Sequence, residues 1–164
     1  MIFVTIGSQE PFDRLIEAMD SIAPSLNTSI VAQIFRNNYK PRNIKDIEFI
    51  SPVEYTEYLK EADIIIAHAG MGTILSVLQL QKPLIVMPRL AKYHETRNNH
   101  QVATAIEFEK MGYLKVAFDA EGLQKHINDV FDNKIIQTGK INGSASPQLI
   151  GSIKTFIENV AHRV

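Results

Sequence analysis

Short apolar runs alternate along the chain with segments whose apolar residues recur at helical spacing. Ile2 to Ile6 is a β-rich run ending at Gly7. Phe12, Leu15, Ile16, Met19 and Ile22 then follow the helical period. Ser29 to Phe35 reads as a second strand and Ile47 to Ile50 as a short third one. The polar stretch Asn37 to Asn43, with its proline, reads as a loop. Glu54 to Ala62 predicts a helix, Asp63 to Ala67 a buried strand, Thr73 to Leu80 a helix and Leu84 to Met87 another buried strand.

Arg89 to Asn98 is a long polar loop, and Asn99 to Met111 is helix-like up to the stop at Gly112. Leu114 to Phe118 predicts a last strand. Asp119 is placed to cap a helix over Leu123 to Phe131. Asn133 to Ser146 has little periodicity. Pro147 opens a final amphipathic helix through Ile150, Ile153, Phe156, Ile157 and Val160. Strands apolar on both faces, alternating with helices, predict an α/β fold: a parallel open sheet with helices on both sides. Such sheets bind ligands at the carboxyl ends of their strands. The loops after Ile6, Ala67 and Met87 are therefore the ones to inspect.

Length changes this picture little, since 164 residues suffice for one domain with a sizeable core and not for two full ones. Apolar residues make up 45% and charged residues 21%, an ordinary globular balance. The formal net charge of −1 argues against bulk nucleic-acid binding. With no cysteine, disulfides and Cys-ligated zinc are excluded. The amino-terminal MIFVTIG is too short and uncharged for a signal peptide, and it reads as a strand starting at once. No apolar run reaches the length of about 18 residues that a spanning helix needs.

The first loop, Gly7-Ser8-Gln9-Glu10, joins a strand to a helix. Helix starts offer unpaired N–H groups and the positive end of a dipole, which suits a phosphate; a plain strand-to-helix turn needs glycine too. The loop lacks the further glycines of a dinucleotide fingerprint. The second loop, His68-Ala69-Gly70-Met71-Gly72-Thr73, carries more. An imidazole N–H, backbone N–H groups near Gly72 and Thr73, and the Thr73 hydroxyl can together cradle a diphosphate. The alternative is a histidine satisfied in the core beside two turn glycines. The loop is not a Walker sequence, and His68, His94, His100 and Glu95 have no metal-ligand spacing.

Three segments, H-x-G-x-G-T at 68–73, K-P-L-I-V-x-P-R at 82–89 and N-H-Q at 99–101, resemble the donor-binding half of GT-B glycosyltransferases. The group they resemble is the glycosyltransferase family 28 C-terminal domain. It includes the peptidoglycan N-acetylglucosaminyltransferase acting on lipid I and short, split enzymes. The split enzymes are the cytosolic subunit of the dolichol-linked GlcNAc transferase and bacterial exopolysaccharide and capsule transferases. The opening IFVTIGSQEPFDRLI and the segment PRLAKYHETRNNHQ are most similar to the split bacterial ones.

The resemblance implies a single Rossmann-like domain over 1–164, the donor half of a GT-B enzyme. It places Gly7, Ser8, His68, Gly70, Met71, Gly72 and Thr73 at the nucleotide diphosphate. Asn99, His100 and Gln101 face the donor sugar. Apart from the resemblance, Arg89 follows a strand end, where it can pair with a phosphate or a uronic carboxylate, and Glu95 can support the acceptor or position Arg89; both are sugar-side candidates. Glu10 and Asp13 are candidates for the general base, against the plainer reading of first-turn acids favoured by a helix dipole. Many relatives carry an acid where this chain has Ser76, so the ribose contact departs from the family pattern.

The implied reaction is metal-independent, inverting transfer from a UDP-sugar to an undecaprenyl-diphosphate-linked acceptor, with no cofactor. The implied partner is a membrane-anchored, acceptor-binding subunit that recruits the chain to the cytoplasmic face of the membrane. Three other readings stay open: a non-catalytic enhancer subunit, a nucleotide-sugar epimerase, which needs two domains in one chain, and a flavodoxin-like binding module.

Overall fold

The computed structural model describes residues 1–133. The helix expected from Pro147 lies outside the described residues. Six strands form one parallel sheet: β1 (Ile2–Thr5), β2 (Ile30–Gln33), β3 (Lys45–Ile47), β4 (Ile64–His68), β5 (Leu84–Met87) and β6 (Lys115–Val116). Their order is β3-β2-β1-β4-β5-β6, and every neighbouring pair is parallel. Four α-helices connect them, α1 (Asp13–Ile22), α2 (Pro52–Glu61), α3 (Met71–Gln79) and α4 (His100–Lys110), and α5 (Ala120–Phe131) follows β6.

The side-chain period of two sorts the central strands into two cores. Ile2, Val4, Ile64 and Ile66 point to one face, where Leu15, Ile16 and Met19 of α1 and Leu123 and Ile127 of α5 cover them. Phe3, Ile65 and Ala67 point to the other, under Leu59 of α2, Ile74, Val77 and Leu78 of α3 and Ala105 of α4. Both faces are covered, which explains why the strands read as unbroken apolar runs. Each fully buried large side chain contributes about 1.5–3 kcal/mol.

Several boundaries differ from the sequence expectations. The third strand lies at Lys45–Ile47, not Ile47–Ile50. The reason is the buried carboxylate of Asp20, which accepts from the N–H groups of Arg42 (2.9 Å) and Asn43 (2.6 Å) and pins the chain just before the strand. Burial would raise the Asp20 carboxyl, but these bonds and the Tyr39 hydroxyl outweigh it and hold its pKa below the usual value. Phe49, which made the later run look strand-like, is 83% exposed.

The second helix begins at Pro52 rather than Glu54, because Ser51 caps it. The Ser51 hydroxyl accepts from Glu54 N–H, and the Glu54 carboxylate accepts from Ser51 N–H, a reciprocal capping box. The third helix starts at Met71 rather than Thr73, and the last strand pairs over two residues instead of five. The cap predicted at Asp119 is present, its carboxylate accepting from Gly122 N–H at 2.8 Å.

Candidate functional site

The order β2-β1-β4 places the ligand-binding crevice. β1 lies between a strand that precedes β4 in sequence and β4 itself, so the connections from β1 and β4 leave toward opposite faces. A crevice opens between such connections at the carboxyl edge. The loops after β1, β4 and β5 line a cleft of about 780 Å³ there. A second hollow of about 460 Å³ adjoins it toward β2 and α2. Gly7, Ser8, Gly72 and Thr73 line both.

His68 ends β4 at the bottom of this crevice. Its ring is gripped between two glycines. A Cβ on Gly7 would lie 2.9 Å from His68 Cε1, and one on Gly70 would overlap Nε2. Gly7 also has φ of +81°, a conformation that strains any other residue. Burial, and secondarily the charge of Arg89, push the His68 pKa down to about 4, against a smaller opposing effect of the Thr5 backbone. Nδ1 is buried and makes no hydrogen bond of ordinary geometry among the described residues. Neutral imidazole carries one N–H and one lone pair. His68 therefore carries no charge and one ring N–H, on either Nδ1 or Nε2.

Positive potential comes from α3 instead. Gly70 is its N-cap, and no side chain caps the helix start. The first-turn N–H groups of Met71, Gly72 and Thr73 lack intrahelical partners. A Cβ built on Gly72 would meet nothing within 4 Å, so the backbone there is open to the cleft. The Met71 side chain is 47% exposed and lines neither hollow, so only its backbone can serve a ligand.

A buried polar brace holds the first loop. Thr5 Oγ1 donates to Gln33 Oε1 at 2.9 Å, and Gln33 Nε2 donates to the Gly7 carbonyl at 3.1 Å. Sequence reasoning missed both residues. The available signal was a polar side chain at the carboxyl end of each of two apolar strands.

Arg89, expected on the sugar side, lines the larger cleft and also serves this loop. Nη2 donates to the Ile6 carbonyl (3.1 Å) and the Glu10 carbonyl (2.8 Å), and Nη1 donates to Pro11. The guanidinium lies 4.6 Å from the Phe12 ring centroid. It is 5% exposed and spent on backbone carbonyls.

Glu95 does not position Arg89. Its carboxylate takes two bonds from Arg14, at 2.7 and 2.9 Å, and one from Leu90 N–H at 2.8 Å. Arg14 also donates to the Pro88 and Phe118 carbonyls, both at 2.8 Å. The Arg14–Glu95 pair thus straps the loop after β5 onto α1. Arg14 is a third residue that the sequence did not single out.

Of the two proposed bases, Asp13 is turned to structural work. Its carboxylate accepts from Asn38 N–H, Tyr39 N–H and Asn38 Nδ2 at 2.9–3.1 Å, and it lines neither hollow. Glu10 lines the larger cleft. Within the N-H-Q segment only Gln101 lines it. Gln101 Oε1 accepts from Arg89 N–H at 3.2 Å, which leaves the amide NH₂ as the cleft-side donor. Asn99 ties down Ala91 N–H at 3.0 Å, and His100 is exposed. His94, Thr96 and Arg97 lie on the same wall. Ser76 lines the smaller hollow and donates its hydroxyl to the Gly72 carbonyl at 2.9 Å.

Among the described residues no three His, Cys, Asp or Glu side chains gather as a metal site, and no helix is long and apolar enough to cross a membrane.

The family described as the glycosyltransferase family 28 C-terminal domain matches residues 1–151. The chain is similar to the UDP-N-acetylglucosamine transferase subunit ALG13 of Candida albicans, 29% identical over 124 residues, covering 70% of this chain and 41% of that one. It is also similar to a pyrophosphoryl-undecaprenol N-acetylglucosamine transferase of Geobacillus kaustophilus, 33% identical over 97 residues, covering 57% of this chain and 26% of that protein. Its fold resembles the crystal structure of Acinetobacter baumannii MurG, with a TM-score of 0.61 at 18% identity over 82% of this chain and 42% of that one. The chain thus spans less than half the length of these relatives.

Proposed function

The chain belongs to the glycosyltransferase family 28 C-terminal domain family, and on that premise we propose that it is the donor-binding, catalytic subunit of a two-component inverting glycosyltransferase. It moves a sugar from a UDP-sugar to an undecaprenyl-diphosphate-linked acceptor in exopolysaccharide or capsule synthesis. Its partner is a membrane-anchored subunit that supplies the acceptor site and holds it at the cytoplasmic face of the membrane.

One observation carries this reading: two hollows of different character share one wall of glycines and hydroxyls at the start of α3. The smaller hollow has Ile50, Pro52 and Tyr55 on its wall and suits a flat base. The larger has Glu10, His68, Arg97 and Gln101 and suits a sugar with an acceptor hydroxyl. The shared wall suits the diphosphate that joins them.

The chemistry follows from charge. As the glycosidic bond to the diphosphate breaks, negative charge grows on the departing oxygen. Fixed N–H dipoles aimed at that point stabilise it without reorganising. The first turn of α3, the Thr73 and Ser8 hydroxyls and the neutral His68 ring are placed to do so. The Gln101 amide donates to sugar hydroxyls from a fixed orientation. Of the two carboxylates lining the cleft, Glu95 is bonded to Arg14 and Leu90. Glu10 is then the group to accept the acceptor hydroxyl's proton.

Calorimetry with UDP, with and without EDTA, tests the donor half of the reading. Binding in the micromolar-to-millimolar range that EDTA leaves unchanged is expected. No heat at millimolar UDP, or binding abolished by EDTA, overturns it.

A further inference from the structure

Among the described residues, no carboxylate lies on the wall of the hollow that we assign to the nucleoside. In parallel-sheet nucleotide folds the ribose diol is commonly read by an acid near the end of the second strand. A carboxylate accepts from hydroxyls through charge-assisted bonds roughly twice as strong as neutral ones. Here β2 ends in Gln33, a neutral amide already bonded once at each end. Oε1 accepts from Thr5 Oγ1, and Nε2 donates to the Gly7 carbonyl.

Across the hollow, Ser76 has given its hydroxyl proton to the Gly72 carbonyl at 2.9 Å and keeps only lone pairs. Tyr55 adds a neutral phenol. The Ser8 and Thr73 hydroxyls on the same wall are neutral too and are assigned above to the diphosphate, so a ribose hydroxyl meets only neutral partners here.

We propose that this pocket does not read the ribose diol, so that the protein accepts a 2′-deoxyribonucleoside diphosphate donor nearly as well as its ribonucleoside counterpart. The inference rests on the donor-site reading above. A lone neutral hydrogen bond discriminates by less than about tenfold, because its net value is about 1 kcal/mol and tenfold requires about 1.4. The donor class is then defined by base and diphosphate rather than by the pentose.

The test is calorimetry of the whole chain with UDP and with 2′-deoxy-UDP. The two dissociation constants should agree within about tenfold. A larger preference for UDP overturns the inference while leaving the donor-site reading intact. Failure of both nucleotides to bind overturns the donor-site reading, and this inference with it. Ser76→Glu should restore a preference for UDP, about tenfold beyond wild type, because it returns a charged acceptor to the ribose wall. Any repulsion from the diphosphate acts on both nucleotides and cancels in the ratio. An unchanged ratio in that variant, with folding confirmed by circular dichroism, would show that Ser76 does not face the ribose and would also overturn the inference. Should the variant not fold, the wild-type ratio decides alone.

Discussion

At the scale of single residues, His68 has the most consequential environment. It was legible in the sequence as the histidine that ends an apolar strand, but its protonation state was not. That state depends on enclosure between Gly7 and Gly70 and on the nearness of Arg89, whose position is set by contacts 78 to 83 residues away along the chain. With a folded pKa of about 4 against an ordinary 6.5, the unfolded chain binds more protons across that interval. Stability therefore rises with pH from about 4 to 6.5 and is lost as pH falls through the same window. The shift corresponds to at most about 3 kcal/mol. Urea melts at pH 7, 5.5 and 4.5 should show a steeper loss in the wild type than in His68→Gln. Parallel curves for the two proteins would mean that the ring is not kept neutral by the fold.

At the scale of elements, the strands and helices were mostly legible because both faces of the sheet are covered and the periods are clean. The misplaced elements have particular causes. β3 is an edge strand whose Lys45 and Asp46 face solvent, so it has no apolar run to read. Its place is set by Asp20, more than 20 residues earlier. The braces of the site were equally hidden, since Thr5–Gln33 and Arg14–Glu95 join residues 28 and 81 positions apart. The glycines of the second loop, by contrast, were legible, and the structure now separates their duties. Gly70 is required by the fold, because a Cβ would strike His68, whereas nothing among the described residues opposes a Cβ at Gly72. Gly72→Ala should leave stability unchanged or raise it by up to about 1 kcal/mol, through helix propensity, yet weaken UDP binding. Gly70→Ala should lose both. Thermal melts beside UDP titrations check the pair. Full UDP affinity in Gly72→Ala would show that no ligand approaches that backbone.

At the scale of the whole molecule, the described residues form one sheet with one carboxyl edge, and the cleft on that edge is walled only by its own loops. Under the proposed reading their hollows take a nucleoside, a diphosphate and a sugar, and the acceptor side holds little beyond Glu10, His94 and Arg97. The chain matches less than half of the relatives' length, so a second body facing this edge is the expected source of the acceptor site. A proton acceptor at Glu10 works only when a hydroxyl is delivered within hydrogen-bond reach, and positioning of that kind supplies much of an enzyme's rate. The prediction is that the chain alone binds UDP but transfers sugar to an undecaprenyl-diphosphate-linked acceptor only slowly. Transfer should rise by orders of magnitude when membranes carrying an acceptor-binding subunit are added. Radiolabelled sugar incorporation, with membranes that contain or lack that subunit, measures it. Glu10→Gln should lower the stimulated rate without weakening UDP binding, since the carboxylate is assigned to the acceptor proton and not to the nucleotide. Full turnover by the purified chain on a detergent-solubilised acceptor would refute the two-component reading, because this single sheet edge would then have to hold both substrates.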